Sequence, residues 1–425
     1  MAAVCCAGDW LVFTSSHNLI AVDIKHSREP FVFDCSKAEQ KPKETESENK
    51  SDGGESQQEG SDQILAFASS ASGNYAALTD DNKRLVLFRT QPSLECISTR
   101  WVVRRCTSLV FSQAEDELFG ADKSGDVYSF SVLEPQKQGE LKLGHLSMLL
   151  GISLSPDDKY IITADRDEKI RVSHRTSPYN IQAFCLGHTE FVSALCTPAG
   201  HTEWLLSGSG DGTMKVWQYE TGRRLQSFDL QQFGFSEDSN TETEEAQRFA
   251  ISRIIGSPDG SHVAVQCESF PAVQLFATDG ERLTPTEKLV LPHKPCGVTF
   301  DSRSGLWVLL ENEDANVLLY THSDGRWQRE SESADLQRVS ETLHTRRELL
   351  KDSAATESRF HHLYKVNFDN MASYLQKKHE RLQQQNQKGV RKRAEGGGPQ
   401  SNGATKKSKS GVEAEAEPQN CDTES

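Results

Sequence analysis

Hydrophobic and polar residues alternate along much of the chain in short runs, which is the pattern of half-buried β-strands. The clearest stretch runs from Gly144 to Trp217 and contains one pattern twice. Each copy opens on a Gly-His pair, and the two pairs lie 43 residues apart. Each copy closes on an alternating run, and the closing positions Ser173 and Trp217 lie 44 residues apart. A period of this length predicts a repeat built from four-stranded units.

An aromatic residue, or a substitute for it, closes a β-rich run about once per period. The marker positions are Phe33, Phe88, Phe130, Ser173, Trp217, Phe276 and Tyr320. Four of the spacings are 42 to 44 residues, which is the period of WD repeats. Seven such units predict an all-β fold, a seven-bladed WD40 β-propeller over residues 1–335, because blades of this kind must stack to bury their apolar faces.

Two intervals between markers are longer, 55 and 59 residues, and each contains a polar insertion. The insertions span about residues 36–63 and 236–247 and lack an apolar stripe, so we expect disordered loops between blades. We expect the ring to close when the N-terminal strands, at residues 10–13 and 19–22, complete a blade with the last repeat.

The repeat pattern stops after Trp327, and a different organisation follows. Residues 336–363 are predicted to be a linker. Residues 364–388 are predicted to form a C-terminal α-helix, because apolar residues recur there at helical spacing and Asp369 is a suitable N-cap. The remainder, residues 389–425, is predicted to be a disordered tail with basic and acidic stretches.

Composition restricts the class of protein. The net charge of -15 argues against a nucleic-acid partner for the chain as a whole, but the charge is unevenly distributed. Ten cysteines occur without a CxxC pair or a Cys/His cluster, so the sequence predicts neither a zinc site nor disulfides and indicates a reducing compartment. No signal peptide and no apolar run of membrane-spanning length is present, and we expect a soluble intracellular protein.

The most cationic segment lies between Tyr374 and Ser410, which contains ten Lys and Arg residues and only two acidic residues. A nuclear-import signal or a solvated helix would be the ordinary interpretation, and contact with a nucleic-acid backbone is the functional one. Import accounts for the clusters at residues 391–393 and 406–409. It accounts less well for Lys377, Lys378 and Arg381, which lie on the predicted helix.

Two patterns could be mistaken for catalytic chemistry. The glycine-rich run at residues 208–212 lacks the lysine and the following helix of a phosphate-binding loop, so a tight turn is the better interpretation. His188, Asp211 and Ser207 or Ser209 are the residue types of a hydrolytic triad. In WD repeats the same types, with Trp217, form a buried hydrogen-bond relay between strands. The sequence therefore indicates no catalytic residue and no metal site, and we expect a protein that is not an enzyme.

Aligning the repeats on their markers gives Lys123 and Arg166 equivalent turn positions in neighbouring blades. With Lys169 and Arg171 close by, these residues predict a basic patch on one face, interleaved with acidic residues. A solvated charged edge is one interpretation, since surface ion pairs contribute little stability. A partner-binding site is the other, because charge clusters determine specificity and encounter rate.

Several runs resemble one known family. The residues 78–85, 121–130, 144–150, 155–158, 163–173 and 186–192 are similar to the WD-repeat non-catalytic subunit of tRNA (guanine-N7) methyltransferase, and so are segments of residues 363–385. The resemblance implies a heterodimer in which a separate Rossmann-type subunit binds S-adenosylmethionine. That subunit would methylate N7 of the guanosine at position 46 of the tRNA variable loop. This chain would stabilise the catalytic subunit, help to seat the tRNA and bind no cofactor of its own.

The resemblance also assigns roles to residues. It implies that the catalytic subunit docks at Arg166, Asp167, Lys169 and Arg171, with Lys123 adjacent. The C-terminal helix, with the three cations named above, would face the tRNA. A nuclear location follows, with no membrane partner and no small-molecule substrate of its own. The alternative function is a WD-repeat adaptor, such as a ubiquitin-ligase substrate receptor or a chromatin scaffold, since propellers host many functions.

Overall fold

A computed structural model describes residues 3–26, 28–41, 60–235, 249–312, 316–353 and 358–365, together with residues 375, 377–379 and 381. The chain divides into two units, Met1–Lys365 and Val366–Ser425. The described residues of the second unit are helical. Among all the described residues, no helix is long and apolar enough to cross a membrane.

The first unit is a β-propeller. Its described residues form seven four-stranded sheets, and in each sheet four consecutive strands pair antiparallel with their sequence neighbours. The fold prediction is therefore confirmed. The strands are as follows: blade 1, β1 Ala3–Ala7, β2 Trp10–Ser15, β3 Asn18–Asp23 and β4 Phe31–Asp34; blade 2, β5 Ile64–Ser69, β6 Tyr75–Asp80, β7 Arg84–Arg89 and β8 Glu95–Trp101; blade 3, β9 Cys106–Phe111, β10 Glu117–Asp122, β11 Asp126–Ser131 and β12 Glu140–Gly144; blade 4, β13 Leu149–Leu154, β14 Tyr160–Asp165, β15 Ile170–His174 and β16 Ile181–Cys185. The remaining blades are: blade 5, β17 Val192–Cys196, β18 Trp204–Ser209, β19 Thr213–Gln218 and β20 Arg223–Asp229; blade 6, β21 Ile251–Gly256, β22 His262–Cys267, β23 Ala272–Thr278 and β24 Leu283–Val290; blade 7, β25 Pro295–Phe300, β26 Leu306–Leu310, β27 Val317–Ser323 and β28 Arg326–Glu330.

The ring closes by packing between complete blades. The first strand of each blade contacts the first strands of both neighbours, and β1 of blade 1 packs against β25 of blade 7. At this junction the backbone N–H of Cys6 donates a 3.2 Å hydrogen bond to the hydroxyl of Thr299. The expectation that N-terminal strands complete the last blade is wrong, because the hairpin of β27 and β28 supplies that blade with its own outer strands.

The same region explains a misplaced marker. Six of the seven marker residues lie on the third strand of a blade, but Phe33 lies on β4, the fourth strand of blade 1. Val22 pairs with Leu11 at the equivalent position of the third strand, as Trp217 pairs with Leu205 in blade 5. An aliphatic residue thus occupies the marker position. Phe33 instead packs edge-on against Phe88 of blade 2, with ring centroids 5.2 Å apart.

The segment predicted as a linker contains regular structure. Ser333 caps helix α1, Ala334–Thr345, by accepting a hydrogen bond from the backbone of Leu336. Val339 and Leu343 are buried against blades 1 and 7. A 3-10 helix, Arg347–Ser353, follows, and the Asn18 side-chain amide donates to the carbonyl of Leu349 at 3.2 Å. The segment differs from the prediction because its short apolar stripe covers the junction where the ring closes.

The first predicted insertion lies partly, and the second wholly, outside the described residues, which omit residues 42–59 and 236–248. The described ends of the first insertion are held against blade 2. Cys35–Lys37 forms a 3-10 helix, and the fully buried Arg84 pairs with Asp80 and with Asp62. Two further 3-10 helices complete the described structure, Leu230–Phe233 and His361–Leu363.

Candidate functional site

Two carboxylates shape the turns that present the predicted partner-binding residues. Asp122 ends β10, and its Oδ1 accepts hydrogen bonds from the backbone of Ser124 at 2.8 Å and of Asp126 at 3.0 Å. Asp165 ends β14, and its Oδ1 accepts from the backbone of Lys169 at 3.0 Å. Lys123 and Arg166 directly follow these carboxylates and are exposed. The equivalence of the two turns, predicted from the repeat, is present in the structure.

His145 couples the two turns. Its backbone N–H donates a 2.7 Å hydrogen bond to the carbonyl of Gly125 in the blade 3 turn. Its imidazole lies 3.3 Å from Asp165 through Nδ1 and 2.8 Å from the hydroxyl of Thr163 through Nε2. Lys123 and Arg166 are therefore on the same side of neighbouring blades. This side, which carries the turns between second and third strands, is called the upper side below.

Arg171 lies on β15, at the edge of the same surface. Its Nη1 donates a 3.0 Å hydrogen bond to the carbonyl of Gly144, the last residue of β12. Burial lowers the pKa of the guanidinium, and the charge of Asp165 opposes the change. Among the described residues Nε has no hydrogen-bond partner. Arg171 is thus a half-buried cation that joins blades 3 and 4.

Asp167 and Lys169 complete the surface. Both are exposed, and Lys169 Nζ lies 3.2 Å from the carbonyl oxygen of Asp167. The residue between them, Glu168, has a φ of 71°, in the left-handed region where Gly125 and Gly212 occupy the equivalent turns. The structure therefore brings all five predicted residues to one surface, called the basic patch below: Lys123, Arg166, Asp167, Lys169 and Arg171.

Exposed apolar residues border the basic patch, and the sequence did not single them out. Leu146 lies in the loop that contains His145, and Phe184 and Leu186 lie on and just after β16. Phe184 pairs directly with Arg171 across the two strands. The available signal was an outer strand that carries apolar residues on its solvent side, where polar ones are the rule.

Residues 358–365, called the docked segment below, lie on the upper side. The ring of Phe191 stacks on Phe360, with centroids 5.6 Å apart, and meets Tyr364 edge-on at 5.0 Å. Lys365 forms an ion pair with Glu168 beside the basic patch. Tyr364 has extended backbone angles, φ -60° and ψ 142°. Tyr364 and Lys365 therefore belong to the first unit and not to the predicted helix from residue 364 to 388.

The triad-like residues form a relay, as predicted. Trp217 Nε1 donates a 2.8 Å hydrogen bond to Ser207 Oγ, which lies 2.8 Å from His188 Nε2. His188 Nδ1 lies 2.9 Å from Asp211 Oδ2. Burial lowers the pKa of His188, although Asp211 opposes this. Because every member is occupied in joining the strands of blade 5, the group is structural. In blade 4 Ser173 replaces the tryptophan, and its buried hydroxyl has no partner among the described residues.

The predicted tRNA-binding residues lie in the second unit. Lys377, Lys378 and Arg381 are helical and exposed, as is the neighbouring Leu375. The rest of the cationic segment, including residues 391–393 and 406–409, lies outside the described residues. Within the part of the chain that is described, no group of three or more His, Cys, Asp or Glu side chains is arranged to hold a metal ion.

Comparison with known proteins identifies similar chains. Residues 24–142 and 131–337 match the family described as "tRNA methyltransferase TRM82 WD40 domain". The chain is 67% identical over 392 residues to the tRNA (guanine-N(7)-)-methyltransferase non-catalytic subunit of Danio rerio, covering 91% of this chain and 94% of that protein. It is 44% identical over 374 residues to the subunit of the same description from Homo sapiens, covering 87% and 88%. The crystal structure of RRP9 WD40 repeats shares the fold, with a TM-score of 0.57 and 19% identity over 78% of this chain and 92% of that one.

Proposed function

The chain belongs to the WD-repeat family of non-catalytic tRNA (guanine-N7) methyltransferase subunits, and on this premise we propose that it holds the catalytic subunit in its active conformation and helps to seat tRNA. Its role in the complex is non-catalytic. The modified atom in this proposal is N7 of the guanosine at position 46 of the variable loop, and the complex is a heterodimer that works in the nucleus.

The observation that carries the proposal is the built geometry of the basic patch. Carboxylates fix both turns, and His145 joins them through hydrogen bonds to Gly125 and Asp165. Turns fixed in this way hold Lys123 and Arg166 in place before a partner arrives, which favours docking. The patch thus has the rigidity of a recognition site.

The apolar border supports a protein partner at this surface. Interfaces combine exposed apolar anchors with arginines and a polar rim. Leu146, Phe184 and Leu186 supply the anchors beside Arg166 and Arg171. We propose that the catalytic subunit covers these residues together with the basic patch. The matching surface of the catalytic subunit would be acidic around an apolar centre.

The reaction needs no group from this chain. The lone pair of guanosine N7 attacks the methyl carbon of S-adenosylmethionine, which the partner binds, and the bond from that carbon to sulfur breaks. What a scaffold contributes is alignment, and holding two reactants in line supplies several kcal/mol of a barrier, up to about 7–11. The ring is suited to this task because its complete blades limit movement of the patch.

The helical cations support a role in tRNA binding. Lys377, Lys378 and Arg381 are exposed on one short helical stretch. Positive charges of this kind neutralise backbone phosphates without reading sequence. We propose that they hold the body of the tRNA while the partner subunit handles the base, which is compatible with an otherwise acidic chain.

The direct experiment mixes purified components with unmodified tRNA and S-adenosylmethionine. We expect methyl transfer from the catalytic subunit to rise at least about tenfold when this chain is added, and no transfer by this chain alone. An equally active catalytic subunit without this chain would refute the scaffold role. Co-purification with ubiquitin-ligase subunits in place of a methyltransferase would favour the adaptor function.

A further inference from the structure

The first strands of the blades surround a central channel that the proposed function does not use. The channel contains a cavity of about 220 Å³. Residues of all seven first strands line it, together with Val12 and Thr14 of β2, Gln266 of β22 and Arg359 of the docked segment. Drug-sized ligands occupy pockets of roughly 300–1,000 Å³. A ligand of this cavity would be smaller, about the size of a phosphate group with a few waters.

Two arginines supply the charge of the cavity. Arg253 lies on β21, and its Nη2 donates a 2.9 Å hydrogen bond to the sulfur of Cys5 on β1. Arg359 enters from the upper side. The residues that line the cavity include no aspartate and no glutamate. Among the described residues neither guanidinium forms an ion pair, and the acidic group whose charge acts on Arg359 is Glu268, which lies outside the lining.

Arg359 is held in place by its backbone. Glu268 Oε1 accepts a 2.5 Å hydrogen bond from the N–H of Arg359, and Oε2 accepts one of 2.7 Å from the hydroxyl of Ser358. Arg359 as a whole residue is exposed, yet desolvation lowers the pKa of its guanidinium, the charge of Arg253 lowers it further, and Glu268 opposes both. Both arginines line the same cavity, so their positive charges oppose each other there. Like charges in one cavity are unfavourable unless an anion lies between them.

The remaining polar lining is suited to an oxyanion. Ser108 and Ser252 line the cavity with hydroxyl groups, which both donate and accept hydrogen bonds, and the hydroxyl of Ser252 already donates one of 3.2 Å to the carbonyl of Gln266. The planar guanidinium fork matches the oxygens of phosphate in a bidentate arrangement. We propose that the central channel binds inorganic phosphate or the phosphate group of a small monoester between Arg253 and Arg359.

The proposed ligand would connect two parts of the structure. Arg253 belongs to the ring, whereas Arg359 belongs to the docked segment that lies on it. An anion shared by both would fasten the docked segment, whose other contacts are the stack on Phe191 and the ion pair of Lys365 with Glu168. Phosphate would therefore reduce opening of this segment.

The test titrates inorganic phosphate into the full chain by calorimetry and follows the thermal midpoint in parallel. We expect saturable binding with one site and a dissociation constant in the millimolar range or tighter. Arg253→Gln and Arg359→Gln should each weaken binding at least tenfold. Arg282→Gln is the matched control, because Arg282 is exposed in the turn between β23 and β24.

The outcomes separate the alternatives. Equal phosphate binding by the parent and both channel variants would overturn the proposal, and so would an equal loss in the Arg282 control. A rise of the thermal midpoint that sodium chloride reproduces at the same ionic strength would also overturn it.

Glycerol 3-phosphate serves as the monoester probe. Binding of both probes, or of inorganic phosphate alone, supports the site and identifies which source of phosphate the channel admits. Arg359 lies outside the seven sheets, so its variant keeps the test valid if Arg253→Gln fails to fold.

Discussion

Arg171 Nη1 donates a 3.0 Å hydrogen bond to the carbonyl oxygen of Gly144, and this bond joins the third strand of blade 4 to the last strand of blade 3. Arg171 is half-buried, so its replacement would disturb the ring as well as a partner. Arg166 and Lys123 are exposed and make better probes of the interface. Arg171 therefore supports the structure of the patch, whereas Arg166 and Lys123 are the cations that a partner can reach, and the variants of the interface are made at these two.

Charge reversal of the presented cations should weaken the heterodimer. We expect Arg166→Glu and Lys123→Glu each to raise the dissociation constant for the catalytic subunit about tenfold, ~1.4 kcal/mol, chiefly through slower association at low salt. Lys294→Glu is the control, because Lys294 is exposed between blades 6 and 7, away from the patch. Surface plasmon resonance measures affinity, and circular dichroism checks the fold. Equal affinity in all variants would contradict the proposed interface.

Two buried serines, Ser207 in the relay of blade 5 and Ser173 at the marker position of blade 4, should respond differently to loss of the hydroxyl. Ser207→Ala removes the partner of both His188 and Trp217 and leaves two buried polar groups unpaired, so we expect a loss of about 2 kcal/mol or more in unfolding free energy. Ser173→Ala removes a hydroxyl without a partner in the described structure and should change stability by under ~1 kcal/mol. Thermal or urea unfolding compares the pair. A larger loss for Ser173→Ala would contradict the relay.

The docked segment should detach when its aromatic anchor is removed. Phe360 is buried on Phe191, and a Phe→Ala change at a buried site costs about 3 kcal/mol or more. We expect Phe360→Ala to expose the peptide bond after Arg359 to trypsin at least tenfold faster while the blades keep their midpoint. Tyr179→Ala removes an exposed aromatic elsewhere and serves as the control. Unchanged cleavage would mean that other contacts hold the segment.

Acid should destabilise the ring through three histidines, of which His188 is buried and His201 and His262 are half-buried. Burial lowers the pKa of His188, His201 and His262, and at His262 the neighbouring His322 adds to the effect. Histidines of the unfolded chain have a pKa of about 6.5, so on acidification they bind protons before the same histidines in the folded chain do. The full stability is therefore present above about pH 6.5 and is lost as the pH falls towards the lower histidine pKa values of the folded chain. His262→Gln should flatten part of the decline between about pH 7 and 5. A slope equal to the parent's would contradict this.

Neutralising the helical cations should change the salt dependence of tRNA binding. The triple change of Lys377, Lys378 and Arg381 to Gln should reduce the slope of log affinity against log salt by about two to three, since each phosphate contact contributes roughly 0.7–0.9. Heterodimer affinity should stay unchanged. Fluorescence anisotropy with tRNA at several salt concentrations measures the slope. An unchanged slope would remove the tRNA role of these residues.

The sequence predicted the ring because its period repeats wherever a marker residue closes a strand. The N-terminal blade was misassigned because Val22 occupies the marker position, so the nearest aromatic, Phe33, was taken instead. The placement of Lys123 and Arg166 on one side could be predicted, since both residues follow equivalent strand ends. The docked segment could not, because Phe360 and Phe191 are far apart in the chain and Phe360 lies outside the repeat. The two channel arginines could not be predicted either, because Arg253 and Arg359 are also far apart in the chain.

The most direct test of the central claim is the N7-methylguanosine content of tRNA, measured by mass spectrometry, from cells depleted of this chain and rescued with defined variants. The proposal predicts loss of the modification on depletion, full rescue by the parent and by Lys294→Glu, and weak rescue by Arg166→Glu at equal protein level. Retention of the modification after depletion, or full rescue by Arg166→Glu combined with Lys123→Glu, would contradict the account.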